Sequence, residues 1–147
     1  MIIDNLLLFS NAQDLTVATT STALASSNVI DLSQNRDLGP TEYLKVFAEF
    51  PTLPVSGTSG ATIGIAVQVS TDASTWTTLE DFPGVVVSDL TTDQPFAVRA
   101  KLAYSNSLYR YIRLAYTVSA AMTAGTVTAG IVLDVPGRHD YPRNYVS

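Results

Sequence analysis

The sequence predicts an all-β protein: an antiparallel β-sandwich of the jelly-roll type with an extended N-terminal segment and a C-terminal tail. Apolar and polar residues alternate with a period of two along much of the chain, whereas helical periodicity is almost absent. Clusters of turn-forming residues separate the alternating segments. With 147 residues, the chain is expected to form a single domain over residues 1–147. An immunoglobulin-like sandwich is the alternative architecture.

Five segments carry one apolar face each and predict the long strands. Because successive side chains of a strand point to opposite faces, each apolar set is expected to line the core. The sets are Leu44, Val46, Ala48 and Phe50; Ile63, Ile65, Val67 and Val69; Phe96, Val98, Ala100 and Leu102; Ile112, Leu114, Tyr116 and Val118; and Val127, Ala129, Ile131, Leu133 and Val135. Shorter strands are predicted at residues 2–8, 28–32, 75–79 and 85–88.

Proline, glycine and aspartate mark the breaks between these strands. Residues 51–60, PTLPVSGTSG, are predicted to be a loop, because proline lacks the N–H that a strand ladder uses. The pair Pro83-Gly84 is predicted to end another strand. In the sequence STDAST, Asp72 is placed to accept backbone N–H bonds in an Asx turn. Trp76, which follows this turn, is predicted to anchor the core or its edge.

The composition suits a protein that buries its surface against something else, although many extracellular β proteins share this composition. Charged residues make up 14% of the chain and the net charge is −5, so the basic stripe of a nucleic-acid-binding protein is missing. No apolar run approaches the roughly 20 residues of a membrane span. Cysteine is absent, which excludes disulfides and thiolate ligands. The many serine and threonine hydroxyls are less costly to desolvate than charged groups. We therefore expect neither nucleic acid nor membrane as a partner.

The sequence offers no convincing catalytic, cofactor-binding or metal site. His139 is the only histidine, and the tail that carries it would hold a catalytic imidazole poorly. Asp89 and Asp93 lack the ligand spacing of an EF-hand. The glycine-rich stretch SGTSGATIG lacks the Gly-Lys-Ser/Thr of a phosphate-binding loop. We therefore expect that the protein is not an enzyme and needs no cofactor.

Two segments do not fit the sandwich. Residues 11–27 are small and polar, carry Asp14 as their only charge, and are predicted to form a loop or arm. Residues 136–147, PGRHDYPRNYVS, are predicted to be a tail that lies on another surface, since they are rich in proline, arginine and tyrosine. The apolar run at residues 6–9 is too short for a secretory signal. We expect it to be part of the working protein.

Two motifs near the start of the chain carry a family resemblance. An apolar opening leads into Phe-Ser-Asn-Ala-Gln at residues 9–13, and Val-Ile-Asp-Leu follows at residues 29–32. Over residues 1–39 this arrangement resembles the tailed-bacteriophage capsid cement (decoration) proteins. The resemblance implies a structural virion protein on the outer surface of an icosahedral phage head, where it stabilises contacts between major capsid subunits. The implied partners are the major capsid protein and other copies of the chain, as a dimer or trimer.

Residue types and the resemblance together give a set of candidate interface residues. These are Phe9, Gln13, Arg138, His139, Tyr141, Arg143 and Tyr145. The pairs Arg99/Lys101 and Arg110/Arg113 are interpreted as solvated or interface charges rather than as an anion site. The alternative function is a carbohydrate-binding or adhesive β-sandwich domain, since QVSTDASTW resembles turns of lectin-like domains. Such sites usually present several exposed aromatic rings, whereas Trp76 is the only tryptophan.

Deletion of residues 138–147 should lower the occupancy of the protein on undecorated phage heads. Tyrosine and arginine are the side chains that most often anchor interfaces, and they are concentrated in this tail. The measurement adds full-length and truncated protein to such heads and compares occupancy and resistance to heat. A truncated chain that folds and decorates the heads unchanged would show that the tail makes no necessary contact.

Overall fold

The computed structural model describes residues 4–36, 43–90, 96–101 and 109–132, which form two antiparallel sheets packed face to face. The strands are β1 (Leu8–Asp14), β2 (Leu24–Ala25), β3 (Ile30–Arg36), β4 (Tyr43–Ser56), β5 (Thr62–Ser70), β6 (Thr77–Val86), β7 (Phe96–Lys101), β8 (Tyr109–Val118) and β9 (Met122–Val132). Short 3-10 turns lie at Asn5–Leu7 and Val87–Asp89. In these ranges no helix is long and apolar enough to cross a membrane.

Strand pairing identifies the sandwich as a jelly roll. The first sheet has the order β1-β9-β4-β7, and the second has the order β2-β8-β5-β6, with β3 also paired to β8. Since β2 and β3 pair with different parts of β8, they act as two halves of one strand. The first strand therefore pairs with the last, the second with the second-last, and so on inward, as in a rolled-up hairpin. The predicted all-β jelly roll is confirmed, and the immunoglobulin-like order is not observed.

The predicted inward positions of β5 and β8 form the centre of the core. Every one of them is buried: Ile63, Ile65, Val67, Val69, Ile112, Leu114, Tyr116 and Val118. The first sheet contributes Val46, Ala48, Phe50, Val127 and Ala129 from the opposite side. The predicted positions Leu102, Leu133 and Val135 lie outside the described residues. Ile131 is only half-buried, and Phe47 on the other face of β4 is fully buried. Period-two alternation therefore identified the buried face of β5 and β8 correctly, but it was incomplete for β4 and β9.

Strand β4 continues through both prolines of the predicted loop at residues 51–60, so that prediction is wrong. The register of β4 with β9 shifts on both sides of Thr52, which places Pro51 and Pro54 at irregular positions of the ladder. At such bulges a residue need not donate its N–H. Gly125 on β9 has φ +134°, and a Cβ there would lie 2.7 Å from the Cα of Pro54. Glycine is therefore required where Pro54 approaches β9.

Strand β6 joins the two segments predicted as separate strands at residues 75–79 and 85–88. It is an edge strand of the second sheet, and its register with β5 shifts near Pro83 and Gly84. An edge strand tolerates proline because one of its sides needs no hydrogen-bonded partner. A Cβ on Gly84 would lie 2.8 Å from the Thr62 hydroxyl oxygen, so the close approach of β5 requires glycine.

The start of the chain also differs from the prediction. The strand predicted at residues 2–8 is, in its described part, mainly the 3-10 turn Asn5–Leu7. The Asp4 carboxylate caps this turn by accepting the Leu6 N–H at 2.9 Å. Strand β1 follows and occupies the first part of the predicted arm at residues 11–27. The arm therefore begins later than the sequence suggested.

The predicted Asx turn is present, but Trp76 is not in the core. The Asp72 carboxylate accepts the N–H groups of Thr75 at 2.8 Å and Ser74 at 2.9 Å. These bonds favour the ionised form and hold the pKa of Asp72 well below its usual value. The Trp76 ring is half-buried, and the Arg113 guanidinium lies 4.0 Å from its centroid. Trp76 therefore packs on the outer face of the second sheet.

The change Leu114→Ala should lower the free energy of unfolding by about 2–5 kcal/mol, because it removes buried methyl groups and leaves a cavity. The matched control is Thr117→Ala on the exposed face of the same strand, where the change should stay within about 0.5 kcal/mol. Denaturant unfolding at neutral pH measures both. Equal losses in the two variants would mean that the two faces of β8 have been assigned wrongly.

Candidate functional site

A long uncharged loop connects β1 to β3 and forms the most distinctive surface of the described structure. No residue between Asp14 and Asp31 is charged, and we call residues 15–30 the uncharged loop. Its exposed residues are Thr16, Val17, Thr19, Thr20, Ser21, Thr22, Ala23, Ser27, Asn28 and Val29. Val17 is 61% exposed and Val29 is 44% exposed. The surface therefore presents hydroxyl and methyl groups rather than ions.

The uncharged loop is anchored to the sandwich at several points. Leu15 and Ala18 are buried in the hydrophobic core. The Ser26 N–H donates to the Leu114 carbonyl at 2.8 Å, and the Leu114 N–H donates to the Ser26 hydroxyl at 3.1 Å. The Leu24–Ala25 strand pairs with β8 beside this contact. The predicted loop or arm is therefore anchored to the core of the sandwich.

The side chain of Gln13 joins β1 to the end of the loop. Its amide nitrogen donates to the Ala25 carbonyl at 2.8 Å, and its amide oxygen accepts the Ser27 N–H at 2.9 Å. The same oxygen also accepts the Ser10 hydroxyl proton at 2.7 Å. The amide of Gln13 is thus committed to its own chain and shapes the loop. A contact of Gln13 with a neighbouring chain stays a prediction.

Phe9 and Ser10 fix β1 against the rest of the sandwich. The Phe9 ring is fully buried, so its side chain presents nothing to a neighbour and the interface prediction for Phe9 is wrong. The Ser10 and Tyr116 hydroxyl oxygens lie 2.8 Å apart in the core. Since the Ser10 proton goes to Gln13, the Tyr116 hydroxyl donates to Ser10. Burial raises the pKa of Tyr116, which keeps this phenol protonated.

Strand β8 carries the two arginines Arg110, near its start, and Arg113, on the outer face of the second sheet. Arg110 forms a bidentate pair with the Asp31 carboxylate, with both N···O distances at 2.8 Å. The Arg110 hydrogen bonds lower the pKa of Asp31, and its guanidinium lies 4.9 Å from the Tyr111 ring centroid. Arg113 contacts Trp76 and Gln68 instead. Both arginine side chains are partly exposed.

An open groove of about 390 Å³, lined by apolar and hydroxyl side chains, lies between the end of β4 and the second 3-10 turn. Leu53, Val55, Val87 and Leu90 are among its lining residues, and no ionisable side chain lines it. In the described ranges, no group of three His, Asp or Glu residues is placed to hold a metal ion. The candidates Arg138, His139, Tyr141, Arg143 and Tyr145 lie outside the described residues and stay predictions.

The fold and this surface define a class: a jelly-roll β-sandwich that presents a preorganised, uncharged loop. A family model described as Bbp16 matches residues 9–131, which is most of the chain, so the protein belongs to the Bbp16 family. The name of the family indicates a phage-related group of proteins. No curated protein matches the sequence. The sequence resemblance to phage proteins is therefore supported at the level of the family.

The sequence indicated Gln13 as a candidate site residue, but it did not single out the neighbouring loop residues Ser26, Ser27 and Asn28. Ser26 and Ser27 were included only as part of a small, polar stretch, although their backbone and hydroxyl groups hold the loop. Asn28 was missed in the same way: its N–H donates to the Phe9 carbonyl at 2.8 Å. The adjoining Ser-Ser-Asn sequence was the available signal, because these residues readily bond to nearby backbone groups.

The change Gln13→Ala should speed hydrogen exchange of the Ser27 amide and lower the free energy of unfolding by about 1–3 kcal/mol. The amide of Ser27 would lose its acceptor, and Ala25 would lose its donor. The control is Asn11→Ala on the same strand, where the side chain is exposed. Exchange measured by NMR compares the variants. Unchanged protection of Ser27 in Gln13→Ala would show that Gln13 does not hold the loop.

Proposed function

We propose that the protein is a capsid cement (decoration) protein, which binds the outer surface of an icosahedral phage head. Its partners would be the major capsid protein and other copies of the same chain, and it would stabilise contacts between capsid subunits. The observation that carries the proposal is the uncharged loop, an exposed surface fixed in one conformation. Membership of a phage-related family supports the same conclusion.

The uncharged loop has the physical properties that a protein-binding surface needs. Charged residues are depleted at the centre of protein interfaces, because burying an ion without a partner is costly. The loop exposes valine and threonine side chains and no ion. The buried residues Leu15 and Ala18 and the bonds of Gln13 and Ser26 already order it. Binding therefore loses less conformational entropy than it would with a flexible arm.

Assembly on a shell makes even weak contacts of this kind sufficient. A capsid presents many copies of the same surface close together, so that one attachment raises the effective concentration for the next. The proposed location is thus the outer surface of the virion.

A carbohydrate-binding or adhesive domain is the alternative function. A sugar ring usually needs an open aromatic face on which to stack, and Trp76 is the only tryptophan. The guanidinium of Arg113 lies over the Trp76 ring at 4.0 Å and occupies one face of it. This arrangement favours the cement proposal. Binding of the isolated protein to a glycan array would favour the alternative.

The change Val17→Asp should weaken binding to undecorated phage heads by about tenfold or more, because it places a charge in the proposed contact. The matched control is Val55→Asp, which alters an equally apolar residue that is 51% exposed at the end of β4. Sedimentation of heads with increasing protein measures occupancy.

Two outcomes of this experiment count against the proposal. Failure of the wild-type protein to decorate the heads saturably would contradict the cement function itself. Saturable decoration with equal binding by Val17→Asp and Val55→Asp would contradict the role of the uncharged loop. Circular dichroism of both variants confirms that each remains folded before binding is compared.

A further inference from the structure

Arg113 is held in a fixed orientation on the outer face of the second sheet. Its guanidinium carbon lies 4.0 Å from the centroid of the Trp76 ring, a cation–π distance. Its Nε donates to the Gln68 amide oxygen at 2.8 Å, and Gln68 is its direct partner in the ladder of β5 and β8. The ring and the amide therefore position this cation from two directions.

The charge of Arg113 has no carboxylate partner in the described part of the chain. Its neighbour Arg110 uses a bidentate pair with Asp31, whereas Arg113 has only the neutral amide of Gln68 and the Trp76 ring. Partial burial lowers the pKa of Arg113, because the cation is desolvated without a compensating anion. The guanidinium stays charged at neutral pH, and its two terminal nitrogens donate to no residue within the described ranges.

We propose that Arg113, positioned by Trp76 and Gln68, is a docking point for a carboxylate side chain of a partner protein. A carboxylate matches the fork of a guanidinium and accepts two parallel N–H···O bonds from it. Arg110 and Asp31 already form such a pair on the same sheet. Charge complementarity thus defines the occupant: an acidic residue on the surface of another chain.

The surroundings of Arg113 suit a protein partner. Arg113 and Trp76 are both half-buried, so part of each side chain remains accessible to another chain. Arginine and tryptophan are among the residues most enriched at the energetically dominant positions of interfaces. The proposal concerns the chemistry of the partner and does not depend on the cement function.

Trp76 provides a direct test, because its fluorescence comes from the only tryptophan in the chain. Titration of the full chain with a hexaglutamate peptide at low salt should change the emission saturably, and hexaglutamine should not. The net charge of −5 repels an acidic peptide in general, so binding requires a local cation. The change Arg113→Gln should raise the half-saturating concentration about tenfold or more.

Two further variants distinguish the bidentate geometry of the Arg113 guanidinium from the effect of its positive charge alone. Arg110→Gln removes the same charge from an arginine that is already paired, and should leave the titration nearly unchanged. Arg113→Lys keeps the charge without the planar fork and should bind with intermediate strength. Circular dichroism verifies the fold of each variant.

The proposal is wrong if hexaglutamate gives no saturable change, or if Arg113→Gln and the wild type respond equally. It is also wrong if an oligosaccharide of glucuronate saturates the signal while the peptide does not. The result is separable from the cement function. If the protein binds hexaglutamate through Arg113 but does not decorate heads, the docking point is supported and the cement function is contradicted.

Discussion

The position of β1 is the constraint on which the rest of the structure depends. This strand pairs with β9 in the first sheet, and the Ser10 hydroxyl on it bonds to Tyr116 of the second sheet. A hydrogen bond inside an apolar core is costly to leave unmade, so the two hydroxyl groups hold the sheets in one relative arrangement. The proton order, from Tyr116 to Ser10 to Gln13, then sets the orientation of the Gln13 amide. The Gln13 amide in turn holds the end of the uncharged loop through its bonds to Ala25 and Ser27.

The uncharged loop and the outer face of the second sheet differ in how their exposed groups are held in place. The uncharged loop carries no ion and relies on internal hydrogen bonds, so that its outward groups lose little on contact with another protein. The outer face of the second sheet carries Arg113, which is held by a ring and an amide. In the two proposals above, the first surface contributes uncharged contact area and the second contributes recognition of charge. Surfaces of both kinds commonly occur together in specific complexes, where apolar contact and charge placement have separate roles.

Alternation of apolar and polar residues predicted the buried faces of β5 and β8. The sequence predicted strand ends wrongly where pairing with a neighbouring strand determines whether a strand continues. The inward positions of β5 and β8 follow from alternation alone, since a strand with one apolar side must turn it to the core. Pro54 and Pro83 look like strand ends in the sequence. Their tolerance depends on register shifts and on the edge position of β6, which only the assembled sheets reveal. The sequence could not show the contact of Ser10 with Tyr116 either, because the two residues are far apart along the chain.

The placement of Pro83 has a consequence for how the molecule behaves in concentrated solution. An edge strand with free N–H and C=O groups is a template on which another strand can add, and repeated addition produces aggregates. On β6, Pro83 removes a donor, the nearby register shift bends the strand, and Asp81 adds an exposed charge. At the edge formed by β1, the carbonyl of Phe9 is already bonded to the Asn28 N–H. Of the four sheet edges, formed by β1, β7, the β2/β3 pair and β6, the edges at β6 and at Phe9 of β1 thus offer fewer free backbone groups to an added strand.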